Sequence, residues 1–448
     1  MSTDGTAPPL PTTTNGDVWR IAAPMLLSNL SIPLLGLVDT AVLGHLDQPW
    51  YLAAVGVGAM IFTTLYNGVN FLRMGTTGIA AQGFGRSDGD TVVRSLREAT
   101  LVALAVATLM LLAHPWIRDA ALAIMRPEDI VRTEAARYFD IRIWSAPATL
   151  ATSVIVGWFL GLSNARVPLT ITLVVNLTNI ALDIVLVVGF GMKTAGVAYA
   201  TLVAEYLGLT VGVFLVLRES GRWPSTLTWR QCIREADLVR YFAVNGNIFV
   251  RTMALMFTLF TMTALSARLG TAVLAANTIL LNLLHVISYG LDALAHAAEA
   301  IVGKFEGRRD RAGLKHSVGL IFRWSFGIAV GMTLALWIGG PALVRLLTDI
   351  DSVVATSRVY LPWLVIMPLV TVWSFVYDGV FIGATLAREM RNVMCAAAFF
   401  VFVPVWWVAQ PLGNHGLWLA FTAFMLTRAV GMHIYYRHRY RTPLSATV

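Results

Sequence analysis

The feature that most constrains this chain is a series of long apolar segments that recurs along almost the whole sequence. Most of them reach the roughly 20 residues that an α-helix needs to cross a lipid bilayer. Backbone polar groups inside lipid must be hydrogen-bonded within the protein, so segments of this kind are expected to be helices. The predicted spans are residues 19–45, 51–83, 92–114, 133–162, 167–190, 194–217, 238–268, 272–303, 314–338, 356–384, 390–410 and 414–436.

The composition favours a membrane protein over a soluble one. Charged residues make up 13% of the 448 residues and apolar residues 57%. Soluble domains carry about 25% charged residues, so this chain has too few to cover a surface in water. The net charge of +8 comes from basic residues in short loops, which indicates membrane topology rather than nucleic-acid binding. Cys232 and Cys395 are far apart and indicate neither a disulfide framework nor a metal site.

The loops also predict the orientation in the membrane. Loops that follow even-numbered spans, together with the C-terminus, carry more than twice as many Lys and Arg residues as the other loops. Because basic loops stay in the cytoplasm, we expect both termini there and the chain in the cell inner membrane. The segment 1–18 is polar and proline-containing, without the basic and apolar regions of a signal peptide.

The second half of the sequence repeats the first. When the sequence is slid along itself until position 85 falls on position 307, the Gly-Arg-x-Asp motif at 85–88 coincides with the same motif at 307–310. Six spans per half in one orientation form a parallel repeat. We therefore predict an all-α membrane protein with two six-helix lobes related by pseudo-two-fold symmetry. The predicted divisions are a flexible N-terminal tail 1–18, an N-lobe 19–217, a cytoplasmic linker 218–237, a C-lobe 238–436 and a cytoplasmic C-terminal tail 437–448.

Acidic residues at membrane depth are candidates for function, because burying a charge in lipid is costly. The candidates in the predicted spans are Asp39, Asp183, Glu205, Asp292, Glu299 and Asp378. Asp39 follows Pro24 and Pro33, and a proline removes a helical hydrogen bond and bends the helix. We expect Asp39 to change its protonation state or its partner while this helix bends. The alternative is a structural acid that neighbouring hydroxyl or basic groups satisfy.

Polar residues in the fifth span share one helix face. Asn179 and Asp183 are four residues apart, and Asn176 lies one turn earlier. They predict either hydrogen bonding between helices or, with Asp39, a cation or proton site. In the second half, Asp292 and Glu299 lie two turns apart in the eighth span, and Asp378 lies in the tenth. These acids form either a second polar patch or structural pairs with Arg251 or Arg323.

Sequence motifs for soluble catalysis are absent. No Walker motif for ATP occurs, and no His-Glu-x-x-His or paired cysteine motif for zinc. We expect a transporter without a cofactor, whose coupling ion is H⁺ or Na⁺, and not an enzyme. A membrane-embedded transferase would need a paired-acid metal site or a histidine at the membrane face, and the histidines are scattered.

Several motifs closely resemble the DinF branch of the MATE (multidrug and toxic compound extrusion) transporters. They are PLLGLVDTAVLGH at 33–45, FLRMGTT at 71–77, FIGAT at 381–385 and EMRN at 389–392. The resemblance covers about residues 19–437. It implies a V-shaped pair of six-helix lobes that exports cationic or amphipathic compounds by antiport.

The resemblance also implies roles for individual residues. The coupling acid of the first helix matches Asp39, and the fifth-helix pair matches Asn179 and Asp183. A sixth-helix threonine matches Thr201, and Tyr138 is a weaker match in the fourth span. The seventh span has no acid, which favours protons over Na⁺. We expect a monomer in the lipid bilayer; the alternative is a flippase for a lipid-linked precursor, whose cavity Arg73, Arg142 and Arg251 would line.

Overall fold

The computed structural model describes residues 12–44, 46, 48–225 and 238–441. Within these residues the regular structure is entirely helical. Twelve of the described helical segments are long and apolar enough to cross a membrane, which confirms the predicted architecture. They are Asn15–Gly44, Pro49–Arg86, Gly89–Leu112, Asp129–Gly161, Arg166–Gly189, Lys193–Ser220, Val244–Arg268, Thr271–Gly307, Arg311–Leu347, Asp351–Gly383, Ala387–Leu412 and Asn414–Tyr440.

Four spans contain local departures from regular α-helix. The second consists of Pro49–Val69 and Phe71–Arg86, and the fourth has a 3₁₀ turn at Ile143–Ser145. The fifth is α-helical over Arg166–Asp183 and continues as a π-helical turn. The eleventh comprises Ala387–Cys395, a π-helical segment Ala396–Phe402, Val403–Ala409 and a 3₁₀ turn Gln410–Leu412. A further short helix, His114–Met125, connects the third and fourth spans.

The prediction of a flexible tail over residues 1–18 is wrong for its described part. The first helix begins at Asn15, and Thr14 and Asp17 form a capping box. The Thr14 backbone N–H donates to Asp17 Oδ2 at 2.9 Å, and the Asp17 N–H donates to Thr14 Oγ1 at 3.3 Å. Such reciprocal bonds satisfy the free donors of a helix start. Thr13 and Val18 are buried, so this segment is packed; residues 1–11 lie outside the described residues.

The predicted boundaries at 218 and 437 also need correction. The sixth span remains helical through Ser220, so the linker begins later than predicted, and residues 226–237 lie outside the described residues. The last helix continues to Arg441, because the Tyr440 hydroxyl donates to Glu306 Oε2 at 2.9 Å and its ring is buried. Residues 442–448 lie outside the described residues.

The chain divides into two compact units. The N-terminal unit is Ala23–Tyr241, and the C-terminal unit combines Met1–Ala22 with Phe242–Val448. The start of the first helix therefore groups with the C-terminal unit rather than with the predicted N-lobe. The Trp19 ring packs edge-on against Trp324, with the ring centroids 5.2 Å apart. Asn15 Oδ1 accepts a hydrogen bond from the Trp324 indole at 3.0 Å.

The sequence repeat is visible in the turns of both units. Ser87 and Arg309 both adopt a left-handed conformation, with φ of 55° and 60°. Each is followed by an aspartate that caps the next helix: Asp88 accepts from the Thr91 N–H at 3.0 Å, and Asp310 from the Gly313 N–H at 2.8 Å. The matching Gly-Arg-x-Asp motifs therefore form the same helix stop and helix start.

The repeat also appears where helices cross. Gly157 in the fourth span lies against the Arg73 carbonyl of the second, and Gly379 in the tenth against the Ala295 carbonyl of the eighth. A Cβ atom at either glycine would collide with that carbonyl oxygen. Both glycines thus hold equivalent helix pairs in backbone contact, which agrees with the sequence slide.

Candidate coupling site in the N-terminal unit

Asp39 lies in the first helix, and its carboxyl group faces another acid. Its carboxyl group interacts directly with that of Asp183 in the fifth span. Asp39 Oδ1 and Asp183 Oδ1 are both buried, and neither has a hydrogen-bond partner among the described residues. Two carboxyl groups from different helices are therefore in contact, and each has one oxygen that accepts no hydrogen bond from a described residue. Pro24 and Pro33 both lie earlier in the same continuous helix, Asn15–Gly44.

The polar face of the fifth span is buried, as its spacing predicted. Asn176, Asn179 and Asp183 are exposed by 8%, 1% and 0%. Asn176 Nδ2 donates to Ser31 Oγ in the first helix at 2.9 Å. The Asn179 amide is best oriented with Nδ2 donating to Asp183 Oδ2 at 3.0 Å and Oδ1 accepting from Thr201 Oγ1 at 3.1 Å. Asn179 thereby connects Asp183 to the sixth span.

Arg142 accompanies these acids. Arg142 Nη1 donates to the Tyr138 hydroxyl at 2.8 Å, and its guanidinium carbon lies 4.8 Å from the Phe62 ring centroid. Asp39 and Glu205 both lie close enough to Arg142 for electrostatic attraction. No ion pair within 4 Å joins Arg142 to an acid in the described part of the chain. Tyr138 itself is buried and holds Arg142 beside the acids.

The acids of the C-terminal unit have different surroundings. Asp378 Oδ2 accepts from Arg251 and from Arg428 Nη2, the latter at 2.8 Å. All three side chains are buried. The geometry therefore favours the structural alternative for Asp378, which is pairing with Arg251. The carboxylate is held by two cations, unlike that of Asp39.

Glu299 and Asp292 lie elsewhere in the same unit. Glu299 is 2% exposed, and its Oε1 lies 3.3 Å from His296 Nδ1 one turn earlier. Asp292 lies within electrostatic range of Arg428. The structure thus brings Asp39, Asp183, Asn179 and Thr201 together with Tyr138 and Glu205 nearby, while the three C-terminal acids lie in the other unit.

Arg428 is a site residue that the sequence reasoning missed. It lies within the apolar run of the last span, and the cost of burying charge applies to arginine as it does to acids. The same search extended to basic residues finds Arg428, whereas Arg251 is already among the predicted partners of the C-terminal acids. Their sharing of one carboxylate depends on helix packing and has no sequence signal.

The candidate site offers oxygen ligands only. Asp39, Asp183, Asn179 and Thr201 provide carboxylate, amide and hydroxyl oxygens, which suit a proton or a hard cation such as Na⁺. No cluster of three or more His, Cys, Asp or Glu side chains that would hold a metal ion occurs in the described residues. The chemistry available here is reversible protonation or cation binding.

Two repeated six-helix units with buried carboxyl groups at membrane depth are typical of membrane transporters. Comparison with known proteins identifies the family of transporters to which the chain belongs. The MatE family model matches residues 24–185 and 248–408, one match in each unit. DNA damage-inducible protein F from Escherichia coli (strain K12) is 39% identical over 439 residues, covering 96% of this chain and 94% of that protein. The chain belongs to the MATE family, in the DinF branch.

Other relatives and solved structures agree. A probable multidrug resistance protein NorM from Bradyrhizobium diazoefficiens is 28% identical, covering 91% of this chain and 89% of that protein. A Vibrio cholerae MATE transporter, VcmN, has the same fold with a TM-score of 0.84 at 18% identity, covering 96% and 97% of the two chains. A MOP superfamily transporter from Pyrococcus furiosus has a TM-score of 0.83 at 16% identity, covering 96% and 99%.

Proposed function

We propose that this chain is a secondary active antiporter that exports cationic or amphipathic organic compounds in exchange for protons. The observation that carries the proposal is the direct contact of Asp39 and Asp183, each with a buried oxygen that has no partner among the described residues. Family membership and the multidrug resistance protein NorM among the relatives support export of organic compounds. We further propose a monomer in the cell inner membrane with both termini cytoplasmic.

The electrostatics of the acid pair favour exchange. Two carboxylates in contact in apolar surroundings cannot both remain ionised without a cation between or beside them. A proton and an organic cation therefore compete for the same negative charge. When a proton occupies the pair, the attraction for the organic cation is lost. Arg142 compensates part of the remaining charge without being bonded to either acid.

The proposed cycle couples protonation to the shape of the first helix. The outward-open protein holds a lipophilic cation beside ionised Asp39. A proton from outside neutralises Asp39, the helix bends near Pro24 or Pro33, and the cation leaves. Asn179 and Thr201 position Asp183 throughout, since they connect it to the sixth span. The empty carrier then returns through an inward-open state.

The sharpest test of the proposal is transport by the reconstituted full-length protein. Export of a fluorescent organic cation from proteoliposomes would be measured under an imposed pH gradient and, separately, a Na⁺ gradient. We expect the pH gradient to drive export and the Na⁺ gradient to fail. Replacement Asp39→Asn should reduce pH-driven export to the level of protein-free vesicles, because the amide cannot bind and release a proton.

Asp349→Asn is the matched control, since Asp349 is an exposed aspartate outside the spans. Its export should equal that of the unaltered protein. Transport by Asp39→Asn at the unaltered rate would refute a coupling role for Asp39. Export driven by Na⁺ alone would refute proton coupling and leave the oxygen-lined site as a Na⁺ site.

The flippase alternative predicted that Arg73, Arg142 and Arg251 line a cavity for an anionic headgroup. Arg251 is instead bonded to Asp378, and Arg142 is bonded to Tyr138 beside three acids. Arg73 Nε donates to Asn70 one turn earlier at 3.3 Å. These contacts favour the export of cationic compounds over the binding of an anionic headgroup.

A further inference from the structure

A cavity of about 410 Å³ lies in the N-terminal unit, away from the acid pair. It is formed where the fourth span ends, the fifth begins and the sixth ends, so its walls all belong to one side of the membrane. Phe159 and Asn164 come from the end of the fourth span and the following turn, and Arg166 and Val167 from the start of the fifth. The basic loops predict that this side is cytoplasmic.

The floor of the cavity is apolar and firmly packed. Phe159 and Val167 belong to a buried apolar cluster, and Leu215 of the sixth span packs against it. The turn beside them is fixed, because Ser163 adopts a left-handed conformation and the Asn164 N–H donates to the Phe159 carbonyl at 2.9 Å. The cavity is therefore a formed depression rather than a gap between loose side chains.

The rim of the cavity carries an excess of positive charge. Arg166, Arg218 and Arg222 line it with one acid, Glu219, whose Oε2 accepts from Arg222 Nη1 at 3.0 Å. Arg166 and Arg218 have exposed side chains, and neither forms an ion pair with another described residue. Because Glu219 offsets one arginine, two positive charges remain for a ligand.

The surface below this rim is suited to lipid. On the sixth span, Phe214 and Leu217 adjoin the lining residues and are 62% and 69% exposed. Large apolar side chains so exposed on a membrane-spanning helix contact acyl chains. The basic rim thus lies at the end of the helix, where lipid headgroups lie, and the apolar surface continues into the hydrocarbon.

We propose that this cavity binds the headgroup phosphate of an anionic phospholipid, such as phosphatidylglycerol, with Arg166 and Arg218 as the phosphate ligands. Arginine binds phosphate oxygens through two parallel N–H donors. Basic pockets between membrane helices on the cytoplasmic side bind anionic headgroups in this way. The apolar floor accommodates the glycerol and the first methylene groups, and the acyl chains follow Phe214 and Leu217.

The second half of the chain supplies a control, because the repeat does not reproduce the residues that line the cavity. The same slide of the sequence places Arg388 at the position of Arg166, but Glu389 at that of Val167 and Leu386 at that of Asn164. An acid thus replaces part of the apolar floor. Arg388 is exposed, so its loss changes the charge of the same predicted membrane side without altering the cavity.

The experiment measures lipid binding to the purified full-length protein in detergent. Native mass spectrometry and the thermal unfolding midpoint would be recorded with added phosphatidylglycerol, with phosphatidylcholine of the same acyl chains, and with inorganic phosphate. We expect phosphatidylglycerol to bind preferentially and to raise the midpoint. In the variant R166Q/R218Q the affinity should fall roughly 25-fold, since each basic residue at an anionic surface contributes about a fivefold factor.

The variant R388Q should retain the affinity of the unaltered protein, and R166K/R218K should recover part of the loss because lysine keeps the charge. Three results would overturn the proposal: equal binding of phosphatidylglycerol and phosphatidylcholine, unchanged affinity in R166Q/R218Q, or full stabilisation by inorganic phosphate alone. The last result would identify a site for a free anion rather than a lipid. Export activity plays no part in this measurement, so its outcome is independent of the transport test.

Discussion

Acidic side chains at membrane depth occur in two contrasting environments in this protein. Asp39 and Asp183 meet each other with oxygens left open, whereas Asp378 is bonded to two buried arginines. The carboxylate of Asp378 compensates both guanidinium groups, and its removal would leave two uncompensated cations in an apolar interior. We therefore propose a structural role for Asp378 and reversible protonation for the pair Asp39 and Asp183.

The replacement Asp378→Asn tests this distinction through stability. Removing one partner of a buried ion pair costs about 3–5 kcal/mol, because the remaining charge is left without compensation. We expect the variant to unfold at a clearly lower temperature than the unaltered protein in detergent. Arg251 and Arg428 remain buried in this variant, which is the physical reason for the loss.

Asp39→Asn is the comparison for that measurement. Because no arginine is bonded to Asp39, this variant should keep the unfolding temperature of the unaltered protein while losing export. Equal destabilisation by both replacements would contradict the assignment of a structural role to Asp378 alone.

At the scale of single elements, the helix ends follow local rules that repeat in both units. Ser87 and Arg309 end their helices in a left-handed conformation, and Asp88 and Asp310 begin the next helices. Asp88 is partly buried, which alone would raise its pKa. Hydrogen bonds from the Thr91 hydroxyl and backbone N–H outweigh this effect and hold the pKa of Asp88 below its ordinary value of 3.8.

The replacement Asp88→Ala should destabilise the protein by about 1 kcal/mol at neutral pH, the usual cost of losing an N-cap. Since the pKa of Asp88 is lowered on folding, its stabilisation is fully present above pH 3.8 and is lost as the pH falls below that value. The difference in unfolding temperature between the two proteins should therefore shrink in acid.

Asp310→Ala in the second unit is the matched variant and should show a similar cost at neutral pH. Asp88→Asn should lose less stability than Asp88→Ala, because asparagine also accepts the N–H bond. A loss for Asp88→Ala that is constant through the acid range would contradict the capping role.

The sequence predicted most of the elements but not all of their ends. Long apolar runs determined the number of spans, since their signal is continuous over many residues. The helical start at Thr14 to Val18 was missed, because a capping box placed before the first span looks like a polar tail. The last turn at Tyr440 was missed for a similar reason: its partner, Glu306, is far away in sequence.

At the scale of the whole molecule, the two halves share packing but differ in chemistry. Gly157 and Gly379 hold equivalent helix pairs in contact. The alignment of the two sequence halves nevertheless places Thr261 at the position of Asp39. The motif at 33–45 and the fifth-span spacing identified the candidate acids. Asp39 and Asp183 come from helices distant in sequence, and so do Asp378 and Arg428. No local pattern could therefore predict the contact of the first two or the ion pair of the second two.

Alanine at the two glycines tests the shared packing. Gly157→Ala and Gly379→Ala should each lower stability by about 1–3 kcal/mol, because the added Cβ pushes against a backbone carbonyl that cannot rotate away. The measurement is thermal unfolding in detergent.

Gly327→Ala is the control, since a Cβ there meets open space. It should leave stability unchanged or raise it by up to about 1 kcal/mol, because alanine favours the helical backbone. A loss at Gly157 without a similar loss at Gly379 would contradict the equivalence of the two helix pairs.

The backbone contact at these glycines has a consequence for motion. Two helices in which the Cα of a glycine contacts a backbone carbonyl of the other helix cannot slide past each other without losing that contact. The second and fourth spans should therefore move as one rigid body, and so should the eighth and tenth. Deformation beside the acid pair must then come from other spans whose backbone hydrogen bonds are interrupted. The proline-containing first helix and the π-helical turn after Asp183 are such places, and both adjoin the acid pair.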